Sequence, residues 1–375
     1  MKLSAESGLW TLGPAATHEQ PTPLLAVLEV SGAVLSWIVD DPAGVDAPQI
    51  TFTDPNRADW LWRVVGQSGH IALIAATTTS DEPDLTELDI TPGSMAALRR
   101  LALGHWLRRW WPASQRDGTP GLDRALLDVE VALLTHGAQS YFTDDTLDSD
   151  VTDLLAPHAA ALIDHIRTGD PRVRDLVGAG AELAEEVGLD GVDWAELSAA
   201  AADWPAAQSV TGYRDDYALA AGSETGLAST AISSGVTSIN WGAVPPGIFD
   251  AAEDTVGWRV ETAGPAVVAV VRAAVIGPEP ATDIAVRVMS GNVSGAAALD
   301  AAGRATVPLV DAQQRALPET VAWNHDWPAT SVVVGADVTE QREVRERIRR
   351  WVQTRLDQSP PDAFLAEILA AESAY

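Results

Sequence analysis

The chain has no cysteine among its 375 residues, and its only lysine is Lys2. Without cysteine it has no disulfides, thiol nucleophiles, Cys-zinc sites or iron–sulfur clusters. Without a lysine inside the fold it lacks the P-loop lysine, the strand lysine of kinases, Schiff-base chemistry and the Ser-Lys dyad. Gly-x-Ser-x-Gly and His-Glu-x-x-His motifs are also missing. We therefore expect no cofactor, and we favour a non-enzymatic protein over an enzyme.

Positive charge is scarce as well. The 53 acidic residues outnumber the 24 basic ones and give a formal net charge of −29. Nucleic acids and anionic membranes are bound by cationic side chains that neutralise phosphates, so this charge argues against both partners. The preference for arginine over lysine, together with abundant alanine, is typical of a GC-rich genome.

Long hydrophobic runs are absent too. Residues 1–6 lack the apolar core of a signal peptide. The longest apolar stretch, residues 24–39, is interrupted by Glu29 and by Ser31-Gly32. Because a membrane span needs about 20 consecutive apolar residues, this stretch is too short and too interrupted to be one. We predict a cytoplasmic protein.

Apolar periodicity predicts a β-rich N-terminal unit over residues 1–92 and a helical bundle over residues 93–205. In the first segment, apolar runs at 24–30 and 33–39 flank Ser31-Gly32, and runs at 60–65 and 70–75 flank the glycines at 66 and 69. Both pairs predict hairpins. After residue 93 the apolar period becomes helical. The predicted helices cover residues 94–111, 121–139, 148–169, 171–188 and 193–203.

Beyond the bundle, a stretch rich in Ser, Thr and Gly over residues 206–238 predicts a linker. Residues 239–339 contain short apolar runs separated by Gly and Pro, which is the pattern of an all-β sandwich. Its predicted strands cover residues 258–262, 266–275, 284–289, 305–309, 320–323 and 331–335. Residues 340–375 predict two terminal helices, at 340–356 and 361–373.

One segment of the predicted sandwich resembles a known family. Residues 295–309 read Gly-Ala-Ala-Ala-Leu-Asp-Ala-Ala-Gly-Arg-Ala-Thr-Val-Pro-Leu, with Asp300 and Gly303 between two apolar stretches. This resembles the strand–Asp-x-x-Gly–strand hairpin of immunoglobulin-like and carboxypeptidase-regulatory-like sandwiches. The resemblance covers one hairpin, implies a binding or spacer module, and carries over no functional residue. The predicted fold class is thus α+β and multidomain: a β-rich N-terminal unit, a helical bundle, and an immunoglobulin-like β-sandwich with two terminal helices.

Histidines of the predicted bundle form a candidate metal site. Two of them lie seven residues apart on one predicted helix, and the preceding helix carries a histidine and a glutamate. Facing helices of a bundle hold metals through carboxylate and imidazole groups that project inward. The candidate ligands are Glu130, His136, His158 and His165. The paired Glu-x-x-His spacing of known bundle metal sites is missing, and the alternative is that His158 is a hydrogen-bonded core residue.

The helix predicted at 340–356 carries a candidate interaction surface. Arg342, Arg345 and Arg349 fall within about 60° of one another on a helical projection. They flank an apolar face that contains Trp351. Because Arg and Trp frequently anchor protein interfaces, these four residues predict contact with another protein that has an acidic surface. The alternative is a docked helix whose arginines are simply solvated.

We therefore favour a cytoplasmic, non-enzymatic adaptor or assembly component that acts through protein–protein contacts. Two alternatives stay open. One is a hydrolase or metal-dependent enzyme with a site in the helical middle. The other is a small-ligand or carbohydrate-binding module at the sandwich loops, where Trp323 and Trp327 flank a polar segment. The sequence leaves the partner and the oligomeric state open.

Overall fold

The computed structural model describes residues 2–6, 9–13, 22–41, 48–78, 88–142, 148–167, 169–202 and 231–373. Within these residues the protein is of the α+β class, with ten α-helices and three antiparallel sheets. The chain divides into two units. The first comprises Met1–Arg108, Leu122–Gly212 and Arg350–Tyr375, and the second comprises Arg109–Gly121 and Tyr213–Arg349. This division differs from the five sequential segments that we expected.

The first unit contains an antiparallel sheet of five strands. They are β1 (Lys2–Glu6), β2 (Leu9–Gly13), β3 (Leu25–Val30), β4 (Ala33–Ile38) and β5 (Gln49–Phe52), in the order β1-β2-β5-β4-β3. Strands β3 and β4 pair as the predicted hairpin. Its turn contains Gly32, whose φ of 72° lies in the left-handed region. A Cβ atom there would approach the carbonyl oxygen of Asp54 to 2.4 Å, so the turn requires glycine.

The hairpin predicted at residues 60–65 and 70–75 is wrong, because this segment forms helix α1 (Trp62–Thr78). Beyond Gly66, the buried side chains of Leu73 and Ala76 are three residues apart. That spacing places them on one face of a helix. Gly66, which suggested a turn, has φ 73° and ψ 165° and interrupts the helix with a kink.

The helices predicted for residues 93–205 are present, with one difference. They are α2 (Ala96–Trp110), α3 (Arg124–Gln139), α4 (Asp148–Leu155), α5 (Ala159–Arg167), α6 (Pro171–Glu186) and α7 (Val192–Ala202). Helix α3 packs against α4, α5 and α6. The single helix predicted at 148–169 is divided into α4 and α5, because Pro157 lacks a backbone N–H and disfavours the helical conformation of the residue before it.

The second unit is built on two antiparallel sheets. Their strands are β6 (Ser233–Thr237), β7 (Val256–Ala263), β8 (Ala266–Ala273), β9 (Ala285–Ser290), β10 (Val293–Ala298), β11 (Arg304–Pro308) and β12 (Ser331–Val334). One sheet has the order β11-β8-β7-β6 and the other has the order β10-β9-β12. Alternate side chains of both sheets, such as Val260, Val271, Val286 and Val307, lie in one hydrophobic core.

Three expectations for this unit need correction. The turn from Asp300 to Gly303 forms as predicted, but its flanking strands do not make a hairpin: β10 pairs with β9, and β11 pairs with β8. The strand predicted at 320–323 is helix α8 (Glu319–Trp323), which begins after Pro318 with an acidic first turn. The predicted linker contains β6, whose backbone pairs with β7, and residues 206–230 lie outside the described part of the chain.

The two terminal helices are confirmed as α9 (Arg342–Asp357) and α10 (Leu365–Ser373). By residue range, α9 contributes to both units and α10 belongs to the first. No helix in the described part of the chain is long and apolar enough to cross a membrane.

Candidate functional site

The arginines of α9 do not form one exposed surface. Arg345 is only 5% exposed. Its guanidinium makes two parallel hydrogen bonds to Glu253, from Nε to Oε1 at 2.9 Å and from Nη2 to Oε2 at 3.0 Å. Such a bidentate pair is the strongest type of Arg–carboxylate contact. Arg345 therefore fixes α9 to the loop that precedes β7.

Glu253 also accepts a hydrogen bond from a second arginine. Arg349 donates from Nη2 to Oε1 of Glu253 at 2.9 Å, and its guanidinium lies 5.2 Å from the ring centre of Trp241. The Ser238 hydroxyl donates to the other carboxylate oxygen at 2.6 Å. Burial opposes ionisation of Glu253, but the hydrogen bonds from Arg345, Ser238 and Arg349 outweigh it and lower the pKa of Glu253 to about 2.

Arg342 is exposed and pairs with Glu346, one turn along the helix, at 2.8 Å. Trp351 is half-buried, and its ring packs edge-on against Trp106 with ring centres 5.1 Å apart. The guanidinium of Arg355 covers Trp351 at 5.1 Å. Of the four predicted interaction residues, only Arg342 is thus left on the surface.

The four candidate metal ligands lie in four separate pairs. His158 Nε2 is 2.9 Å from Asp128 Oδ2, and His136 Nε2 is 3.6 Å from Glu186 Oε1. His165 Nε2 is 2.7 Å from Asp123 Oδ2, and this hydrogen bond raises the pKa of His165 although burial opposes it. In the part of the chain that the structure describes, no three His, Asp or Glu side chains are grouped to hold a metal ion.

Glu130, the fourth candidate, joins three helices. Its carboxylate pairs with Arg100 on α2, and its Oε2 accepts a hydrogen bond of 2.8 Å from the backbone N–H of Leu365 at the start of α10. Burial raises the pKa of Glu130 despite these two contacts. Beside it, Glu367 and Arg355 form a buried bidentate pair of 2.7 and 2.8 Å. These contacts connect α10 to α2 and α3, and they connect the C-terminal part of α9 to α10.

Asp128 was missed by the sequence analysis. It is 3% exposed and lies on α3. Its carboxylate accepts hydrogen bonds from Arg108 Nε at 2.6 Å and from Arg124 Nε at 2.9 Å, and it also contacts His158. Burial opposes ionisation, but the contacts with His158, Arg108 and Arg124 outweigh it and lower the pKa of Asp128. The spacing of four residues between Arg124 and Asp128 is the one signal in the sequence that points to this cluster.

The segment from the end of α8 to β12 contains one buried and one exposed tryptophan. Trp327 is buried, and its indole N–H donates to the carbonyl of Ala322 at 2.8 Å. His325 Nε2 lies 2.9 Å from the hydroxyl of Ser290 at the end of β9, so the loop is fixed beside that strand. Trp323, in contrast, is 49% exposed.

Beside this loop lies an exposed sheet face, which we call the Met289 face. It consists of the outward residues of β9, β10 and β12, and Met289, near the end of the central strand β9, is 60% exposed. Cross-strand pairing places Ser294 and Ser331 on either side of Met289. The face comprises Ala285, Arg287, Met289, Ser294, Ala296, Ala298, Ser331 and Val333. Arg287 Nη2 lies 3.5 Å from Asp337 Oδ2, with both side chains exposed.

Comparison with known proteins does not assign the chain to a group: no protein-family model, no curated protein and no solved structure matches it. The functional assignment therefore rests on the residues of the chain itself.

Proposed function

We propose that this chain is a non-enzymatic adaptor or assembly component, and that it binds another protein through the Met289 face. The observation that carries the proposal is the exposure of Met289, at 60%, on the middle strand of a three-stranded sheet. Sheet faces that lie against solvent normally carry polar side chains. Apart from Arg287 and two serines, this face carries alanine, valine and methionine.

The chemistry of the Met289 face suits a protein partner. Small alanine and serine side chains leave the face flat, so another protein can approach its backbone closely. Methionine is unbranched and adapts to an irregular apolar surface. Trp323, exposed at the end of α8, belongs to a residue type that is enriched among the anchors of interfaces.

Arg287 indicates a second property of the partner, an acidic group. It lies between Ala296 and Val333 on the Met289 face, and its contact with Asp337 is long and exposed. An exposed pair of this kind contributes little, so a carboxylate of the partner replaces or joins Asp337 at small cost. The partner is thus a protein with an apolar patch and an acidic group. Nucleic acid and membrane are not proposed, because the chain carries a net charge of −29.

The proposal includes a cytoplasmic location and an immunoglobulin-like arrangement of the two sheets in the second unit. Catalysis in the helical middle is not proposed, because Glu130, His158 and His165 are each engaged by a different partner.

A second candidate, ligand binding at the loop between α8 and β12, is favoured by the exposed ring of Trp323. Loss of binding to a soluble sugar or aromatic ligand on Trp323→Ala, without any effect of Met289→Glu, would favour it over the adaptor.

The test is affinity capture from the native cytoplasm, read by quantitative mass spectrometry. Three baits are compared: the unchanged chain, Met289→Glu, and the control Val236→Glu. Val236 is equally exposed, at 62%, but lies on β6 of the other sheet. We expect one protein to be enriched by the unchanged chain and the control and lost with Met289→Glu.

That protein is then purified and titrated against the same three chains. Its affinity should fall at least about tenfold for Met289→Glu, which is about 1.4 kcal/mol of binding free energy. Equal affinity for all three chains, or equal losses in both variants, would contradict the proposal. Thermal midpoints of the baits confirm that the variants are folded.

A further inference from the structure

Helices α3, α4 and α6 of the first unit surround a cavity of about 340 Å³. Thr135, His136 and Gln139 line it from α3, Val151 and Thr152 from α4, and Glu186 from the end of α6. This volume is at the lower end of the range typical of small-molecule sites. We call it the α3–α6 pocket.

The lining of the α3–α6 pocket is mixed, with Val151 and Val187 lying among polar side chains, and it carries negative potential. Helices α3 and α6 both end at it, with Gln139 and Glu186 as their last residues. The C-terminal end of a helix carries about half a negative charge, so these two ends outweigh the half positive charge at the N-terminus of α4, which begins at Asp148. Glu186 adds a full carboxylate, and the lining residues named here include neither lysine nor arginine. A cation is therefore favoured in this pocket over an anion.

The carboxylate of Glu186 is accessible to a ligand. Its side chain is 65% exposed and that of His136 is 46% exposed, and Nε2 of His136 lies 3.6 Å from Oε1 of Glu186. A pair that is both long and exposed contributes little free energy. A primary ammonium group, with three N–H donors, can take the place of this imidazole or share the carboxylate with it.

We infer that the α3–α6 pocket is a binding site for a short primary aliphatic amine. Its ammonium group binds the carboxylate of Glu186, the hydroxyl of Thr152 accepts a second hydrogen bond, and the methylene chain packs against Val151. Among the described residues, the lining of the pocket contains one carboxylate and one imidazole, which are too few ligands for a metal ion. The inference is independent of the adaptor proposal, because the Met289 face lies in the other unit.

The experiment is isothermal titration of the full chain with cadaverine, and with pentane-1,5-diol as an uncharged analogue of the same length. We expect saturable binding of one cadaverine per chain and none of the diol. Glu186→Gln should weaken binding at least about tenfold. Thr152→Val, which removes only the hydroxyl, should weaken it less.

A chain this acidic attracts amines non-specifically, so the control must have the same net charge. Glu185→Gln meets this need, because Glu185 is the exposed neighbour of Glu186 on α6 and does not line the pocket. Its affinity should equal that of the unchanged chain. Equal losses in the two glutamine variants, binding of the diol as tightly as cadaverine, or no saturable binding would each overturn the inference.

Discussion

Arginine side chains bind buried or partly buried carboxylates in both units. Arg345 and Arg349 share Glu253, Arg355 binds Glu367, and Arg108 binds Asp128. Guanidinium suits this role because it is planar, remains charged and matches both oxygens of a carboxylate. In a chain with only 24 basic residues, these arginines are committed to internal contacts.

The clearest consequence at the residue scale concerns α9. Arg345→Ala should lower the free energy of unfolding by about 3 kcal/mol, because it leaves the carboxylate of Glu253 partly buried with one arginine fewer. Arg342→Ala on the same helix should change it by less than about 0.5 kcal/mol, since its pair with Glu346 is exposed. Urea unfolding followed by tryptophan fluorescence measures both changes. Equal effects of the two substitutions would contradict the burial of Arg345.

The sequence predicted part of this site. The helical projection correctly placed Arg345 and Arg349 on the same side of α9, beside its apolar face. It did not show what that side contacts, because Glu253 lies 92 residues before Arg345 and nothing local connects them. The alternative interpretation of His158, a hydrogen-bonded core residue, agrees with its contact to Asp128.

At the scale of elements, the accuracy of the predicted helices and strands depended on how clear the apolar period of each segment was. Strand β9 alternates buried Val286 and Val288 with outward Arg287, and its bounds were predicted to within a residue. Helix α1 was misread because a short apolar run beside glycines fits a strand as well as a helix. The strand predicted at 320–323 failed for a similar reason: Thr, Val and Trp favour strands, whereas Pro318 begins a helix there.

Packing between helices gives a second prediction. Gly104 of α2 lies where α2 approaches α3 and the start of α10: a Cβ atom there would lie 2.6 Å from Val131 and 3.0 Å from Phe364. Gly104→Ala should therefore destabilise the first unit by about 1–3 kcal/mol through overpacking.

Gly137 of α3 provides the matched control. It also lies inside a helix, but no atom stands within 4 Å of a Cβ placed on it. Gly137→Ala should stabilise the protein by up to about 1 kcal/mol, because alanine loses less backbone entropy in a helix. Chemical unfolding of both variants provides the measurement. Stabilisation by Gly104→Ala would mean that α2 and α3 are farther apart than in this structure.

For the whole molecule, the electrostatics are governed by the excess of 29 negative charges that results from 53 acidic and 24 basic residues. Internal pairs such as Arg355–Glu367 are buried and are screened only weakly by salt. Many other carboxylates in the described part of the chain are exposed, and they repel one another and favour expansion of the chain. Salt screens this repulsion more than it weakens the buried pairs.

We therefore expect the folded state to become more stable as salt is added. Between about 20 mM and about 500 mM NaCl the Debye length falls from roughly 20 Å to roughly 4 Å, so most repulsion between surface carboxylates is removed. The thermal midpoint should rise by about 1–3 °C, which corresponds to about 1–2 kcal/mol for a chain of this size. Choline chloride at the same ionic strength should give the same rise, because screening does not depend on the identity of the cation.

Arg345→Ala should begin from a lower midpoint and show the same slope with salt, since the contact that it removes is buried. A midpoint that falls with salt would mean that exposed ion pairs such as Arg342–Glu346, rather than the carboxylate excess, dominate the electrostatics of the molecule.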